Sequence, residues 1–181
     1  NNNFDFAEML SEMLGELNAS HTGCRYYGGT ASLSTAALGA FFDPNYEGDG
    51  LKIQEVIKRG PFAVKKNEIT AGCIIEKIDG EAIKAGEDYN ALLDGKAGKN
   101  VRLTIKNTKG KTFDLTIKAI SQSNQQELLY KRWVDRNRAI VDSVSKGRIA
   151  YVHVKAMNSE SFRTVYSELL SDKNRNKDAV I

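Results

Sequence analysis

Two stretches, Val101-Arg-Leu-Thr-Ile-Lys106 and Thr112-Phe-Asp-Leu-Thr-Ile-Lys118, decide the fold. In the first, Val101, Leu103 and Ile105 share one face while Arg102, Thr104 and Lys106 take the other, the period of a half-buried strand. Phe113, Leu115 and Ile117 repeat the pattern, and Asn107-Thr-Lys-Gly110 suits the hairpin turn between the two. Upstream lies Asp88-Tyr-Asn-Ala-Leu-Leu93, a short helical piece that ends at Gly95 and Gly98. Before it come Cys73-Ile-Ile-Glu-Lys-Ile78, closed by Asp79-Gly80, a Gly60-Pro61-Phe62 segment, and Leu51-Lys-Ile-Gln-Glu-Val-Ile57. The series starts with Leu38-Gly-Ala-Phe-Phe-Asp43, a glycine loop running straight into an apolar strand. Residues 36–121 therefore read as a small β-rich domain with one short helix.

This order resembles a PDZ domain of the bacterial type found inside serine peptidases. The resemblance rests on Leu38-Gly39-Ala40-Phe41, Ala71-Gly72-Cys-Ile-Ile-Glu-Lys-Ile-Asp-Gly80 and Leu92-Leu-Asp-Gly-Lys-Ala-Gly98 ahead of Val101. It departs at Gly72-Cys73, where many such domains carry Gly-Asp, so that turn is expected to be held differently. An unrelated small β-barrel with similar turns is the competing topology, because periodicity alone does not fix strand order. A PDZ domain takes an extended peptide as an added strand and captures its terminal carboxylate on backbone amides. On the resemblance, Gly39, Ala40 and Phe41 would donate those amides, and Ala40 to Asp43, including Phe42, would receive the peptide. Leu38, Phe41, Leu92 and Leu93 would line a pocket for its last side chain. Membership of the ordinary core is the alternative for Leu92 and Leu93.

The 181 residues allow one or two domains, and 41% hydrophobic with 27% charged residues are globular values. A net charge of +3, from 26 basic and 23 acidic residues, argues against a dedicated nucleic-acid binder. Charge is uneven: residues 1–33 hold four acids and one base, whereas 122–150 hold three acids and six bases. Cys24 and Cys73 lie far apart without C-x-x-C spacing, so neither a zinc nor a redox motif is read, and no metal or other cofactor is expected. No apolar run approaches the ~20 residues that span a membrane, and no secretory signal pattern opens the chain. Beginning at Asn1-Asn-Asn and stopping inside the apolar run Asp178-Ala-Val-Ile181, the sequence is expected to be an excerpt of a longer protein. Its compartment stays open, with the periplasm or cell envelope favoured over the cytoplasm.

Phe6, Met9, Leu10, Met13, Leu14 and Leu17 recur at helical spacing, with Asp5 and Glu8 expected at the helix start. The helix runs into Leu17-Asn-Ala-Ser-His-Thr22, and a leucine-rich helix followed by this sextet resembles the tricorn-type serine peptidases. In that family the Ser-His pair belongs to a Ser-His-Ser-Glu tetrad. The resemblance implies that His21 is the general base and Ser20 the hydroxyl orienting its ring, since a serine nucleophile needs an imidazole to take its proton. An exposed loop histidine beside a helix-ending serine is the plain alternative. Residues 22–35 read as a linker, and Gly28-Gly29 lacks the spacing and lysine of a phosphate loop.

After the β-rich unit, Ser121-Gln-Ser-Asn-Gln-Gln126 reads as a polar hinge. Leu128–Val134 and Ala139–Val144 follow as two short segments, and then the strand Arg148-Ile-Ala-Tyr-Val-His-Val154, in which His153 is a strand-face residue rather than a ligand. Ser159 is expected to cap a helix whose apolar face is Phe162, Val165, Tyr166, Leu169 and Leu170. This strand-helix-strand run resembles the opening of the tricorn-like catalytic core. The expected class is thus α+β: a PDZ-like partly open β-barrel over 34–121, flanked by pieces of an α/β peptidase core at 1–33 and 122–181. The nucleophile and glutamate would lie beyond Ile181. The expected partners are peptide or unfolded protein substrates and the rest of the peptidase core, with no nucleic acid, no membrane span, and homo-oligomerisation of the parent left open. A peptide-binding adaptor without chemistry, or a scaffold whose glycine loop is blocked by its neighbours, is the alternative.

Overall fold

The structure is a computed structural model that describes residues 2–28, 34–65 and 69–181. The chain parts into two compact units, Asn1–Leu33 and Ser34–Ile181.

In the first unit, helix α1 spans Asn3–Gly15. Its cap is not Asp5 but Asn2, whose side chain accepts from the Phe4 and Asp5 amides and leaves Asp5 inside the first turn. An amide oxygen there satisfies helix-end donors that no turn precedes. The chain after the helix doubles back, so that Tyr26 meets Phe4 edge-to-face at 5.1 Å. Ala7 is the buried residue of the helix; Phe6, Met9, Met13 and Leu17 stand exposed.

The second unit is built on an open, antiparallel sheet. Its strands are β1 (Ala40–Phe42), β2 (Leu51–Val56), β3 (Ile74–Ile78), β4 (Glu81–Ala82), β5 (Asn100–Lys106) and β6 (Thr112–Lys118). They run in the order β1-β2-β3-β5-β6, with β4 paired to β3 beside that path. The hairpin expected from the alternating stretches forms in register, Val101 opposite Ile117, Leu103 opposite Leu115 and Ile105 opposite Phe113. Val101, Leu103 and Ile105 are fully buried, together with Ile53, Phe62, Cys73, Ile75, Ile78 and Leu93. Asp79 and Gly80, both at positive φ, make the two-residue turn from β3 to β4. At one end the chain before β1 meets the chain after β6, where Ala37 and Ile120 exchange two backbone hydrogen bonds of 2.7 and 3.0 Å. That bridge curls the sheet without closing it, which gives the expected partly open barrel. The turn at Gly72-Cys73 is held by the sheet itself. The Gly72 amide donates to the Ile53 carbonyl, and Ile53 donates back to Cys73, each at 2.8 Å.

The expected hinge at 121–126 is instead the first turns of helix α2, Gln122–Val144, with Ser121 as its cap through a bond from the Asn124 amide. The two short segments beyond it are the rest of the same helix. Serine caps helices well, and a run of Gln and Asn adopts whichever conformation packing rewards, so the polar stretch read as a hinge. Beyond α2, strand β7 (Ile149–Ala150) pairs in parallel with β8 (Ala179–Val180). Helix α3, Ser159–Leu169, connects them, and its cap is Asn158, one residue before the serine expected there. Phe162, Tyr166 and Leu170 on its apolar face are exposed. Polar ties fasten this tail to α2: Arg138 to Glu168, Lys177 to Asp142, and Tyr130 to His153.

Candidate functional site: a peptide groove at the glycine loop

Gly39 lies at φ +73°, and a Cβ placed on it would come 2.5 Å from Pro61 Cδ, inside van der Waals contact with a rigid ring. Both the dihedral and the close approach require glycine. Its carbonyl accepts from the Ile57 amide at 3.0 Å, which seats the loop at the head of β1. Strand β1 is an edge strand, hydrogen-bonded to β2 alone in the sheet. Opposite it stands the helical piece read at Asp88–Leu93, present as a 3₁₀ turn over Tyr89–Leu93 and capped by Asp88. Bonds from Ala36 to the Leu93 carbonyl and from Gly95 to the Ser34 carbonyl fix that turn to the segment leading into the loop.

The residues expected to form the groove divide between two faces. Leu38, Ala40 and Leu93 are buried in the core, and Leu92 is half-buried against it. Phe42, on the face of Ala40, packs edge-to-face on Tyr89 at 5.8 Å. Burial pushes the Tyr89 hydroxyl pKa up. Phe41 points the other way. It stands opposite Glu55 in the β1–β2 register and lies under the Arg132 guanidinium, 5.5 Å from its ring centre. A strand alternates its side chains, so Phe41 and Phe42 cannot both face the 3₁₀ turn.

Residues that the sequence reading did not single out complete this face. Arg132 makes a two-pronged ion pair with Glu55, at 2.6 and 2.7 Å, and this bond holds the Glu55 carboxyl below the usual glutamate range. Gln125 turns its side-chain oxygen toward the glycine loop and accepts from the Gly39 amide at 3.2 Å. Leu128 reaches Gly60 beside the same loop. Gln125, Leu128 and Arg132 follow the i, i+3, i+7 spacing of one helix stripe, which a reader of the sequence could have seen had 121–126 been assigned to a helix.

Ser20 and His21 lie on the exposed turn that follows α1. His21 is at φ +65° and Asn18 at +48°, conformations that non-glycine residues seldom adopt, and no hydrogen bond joins the Ser20 hydroxyl to the ring. The Thr22 hydroxyl ties the turn to the helix end, donating to the Leu14 and Ala19 carbonyls. His153 sits just past β7. Its Nδ1 lies 2.7 Å from the Tyr130 hydroxyl and its ring packs edge-on against Trp133 at 4.8 Å, the environment of a structural histidine. Among the described residues no group of three His, Cys, Asp or Glu side chains could hold a metal ion, and no helix is long and apolar enough to cross a membrane.

An open antiparallel sheet, a left-handed glycine ahead of an edge strand and a short helical turn facing that strand define a PDZ domain. Residues 45–122 match the family described as the tricorn protease PDZ domain, a span that begins after both the glycine loop and β1. A tricorn-like protease C-terminal subunit of Sulfurisphaera tokodaii is 30% identical over 182 residues, covering 95% of this chain and 20% of its own length. The tricorn protease homolog of Saccharolobus solfataricus is 28% identical over 182 residues, covering 95% and 16%. The crystal structure of the tricorn protease superposes with a TM-score of 0.72 at 26% identity, over 87% of this chain and 16% of that one. Over residues 45–122 the chain carries a match to the tricorn protease PDZ family, and over nearly its whole length it is similar to tricorn-type proteases. It spans about a fifth or less of the length of these relatives.

Proposed function

We propose that this chain is the peptide-recognising segment of a tricorn-like serine peptidase, in which the glycine loop and β1 take the C-terminus or an extended stretch of a substrate. The observation that carries the reading is Gly39, left-handed and followed by an edge strand, which together place a backbone amide at the head of a strand that the sheet pairs on one side. Added-strand recognition needs both. In this reading, Ser20 and His21 belong to a Ser-His-Ser-Glu site whose nucleophile lies outside these residues. His21 accepts the nucleophile's proton and Ser20 orients the ring. The left-handed turn at His21 supports the assignment, since strained non-glycine residues concentrate at functional sites.

The reading is tested in the intact parent by peptide-hydrolysis kinetics. His21→Ala is expected to lower turnover by roughly 10²–10⁴-fold, the contribution of a general base, while Ser20→Ala costs less. The 181-residue chain by itself is expected to hydrolyse no peptide. Near-normal turnover of His21→Ala would remove the catalytic assignment and leave a peptide-binding adaptor. The Gly39–Gln125 bond favours a second element of the reading, a loop met by its own neighbours.

A further inference from the structure

We propose that helix α2 is an internal ligand of the peptide groove, with the Gln125 side-chain oxygen standing where a peptide's terminal carboxylate oxygen would bind. This rests on the peptide-binding reading above and specifies how that site is regulated.

The Gly39 amide is a donor at the head of the edge strand, and it already has an acceptor, Gln125 Oε1 at 3.2 Å. A carboxamide oxygen accepts in the same geometry as a carboxylate oxygen but without its charge. An arriving carboxylate makes the stronger, charge-assisted bond to the same amide, so it competes with Gln125 instead of adding to it. The two acceptors cannot both occupy the donor. The contact is no isolated brush of a surface side chain, because Arg132, two turns further along α2, grips Glu55 of β2 with two bonds and covers Phe41 of β1. Leu128, between them, closes on Gly60, whose amide is bonded to Ile57, the residue that also bonds Gly39. One stripe of α2 thus lies along the loop and the first strand pair. A peptide that takes the Gly39 amide must lift the Gln125 end of that stripe, so groove occupancy and the seating of α2 are linked, each weakening the other.

The test uses the 181-residue chain and a fluorescein-labelled decapeptide ending in leucine with a free carboxylate, beside the same peptide as its C-terminal amide. Binding is read by fluorescence polarisation for the wild type, Gln125→Ala and Gln125→Glu, with folding checked by circular dichroism. Removing one neutral acceptor is expected to tighten the free-acid peptide by roughly 2- to 10-fold, the fold-change of one net hydrogen bond. The amide peptide should change less. Gln125→Glu places a charged oxygen on the Gly39 amide and is expected to weaken the free-acid peptide by a similar factor. Opposite signs for the two variants mark a competitor, whereas a merely structural glutamine would move both the same way. Unchanged or weaker binding in Gln125→Ala, tighter binding in Gln125→Glu, or equal tightening of acid and amide peptides would overturn the proposal. If the wild type binds and Gln125→Ala matches it, only this inference falls and peptide recognition stands. If none of the three proteins binds either peptide, the peptide-binding reading falls and takes the inference with it.

Discussion

The sheet and the tail beyond α2 belong to the same compact unit, yet they are built differently. In the sheet, Val101, Leu103 and Ile105 lose all contact with solvent, and each faces an apolar partner across the hairpin. In the tail, Ala150 is buried, but Val154, Met157, Phe162, Tyr166 and Leu170 stand exposed. The sheet therefore carries its own hydrophobic stabilisation, whereas the tail is held mainly by polar ties to α2 and by the short β7–β8 pairing. Dense apolar burial gives cooperative stability, and half-exposed ion pairs give little. The difference teaches where stability resides: the sheet carries it in dense apolar burial, whereas the elements around it are fastened by partly exposed polar contacts.

The largest expected effect comes from opposing single truncations in the two regions. Leu103→Ala should destabilise the chain by about 2–5 kcal/mol in urea unfolding, the range for a fully buried leucine. Phe162→Ala on the exposed face of α3 should stay within about 0.5 kcal/mol. Equal losses would break the contrast and show that the α3 face is covered in solution, for instance by a second copy of the chain.

Gly39→Ala tests the boundary between sheet and helix. Forcing an L-residue into a left-handed dihedral costs about 1–2 kcal/mol, and here the new methyl also meets the Pro61 ring. The same unfolding assay should place this variant between the two truncations. A loss below that of Phe162→Ala would mean that the loop relaxes away from Pro61 at no cost.

The smallest effect is expected at the clamp between α2 and the sheet. Glu55 and Arg132 side chains are 42% and 39% exposed, so solvent screening limits Arg132→Ala to about 1 kcal/mol or less. Because Arg132 lowers the Glu55 pKa in the folded state, the clamp contributes fully above the ordinary glutamate range and is lost as pH falls from there through the lowered Glu55 pKa. The stability gap between wild type and Arg132→Ala should therefore be present at neutral pH and shrink as pH falls below the ordinary glutamate range and through the lowered Glu55 pKa. A gap that persists in acid would assign the contribution to Arg132 packing on Phe41 rather than to its charge.

The sequence by itself determined the β5–β6 hairpin, while the order of the strands around it was left to the tertiary structure. Alternation at 101–106 and 112–118 is local information, readable because a strand repeats every two residues and burial selects one face. The Asp79-Gly80 turn and the glycine demanded at position 39 were legible for the same reason, since dihedral constraints act on single residues. Helix ends were less legible, because Asn2 and Asn158 compete with neighbouring Asp5 and Ser159 for the same capping role and differ only in phase. Only the tertiary structure decided what surrounds the groove. What lies over Phe41 is Arg132, from a helix far along the chain, and the partner of the Gly39 amide sits 86 residues away on that same helix, which its own polar sequence disguised as a hinge. Such a contact leaves no periodic signature, for it is set by how a whole helix seats against a finished sheet.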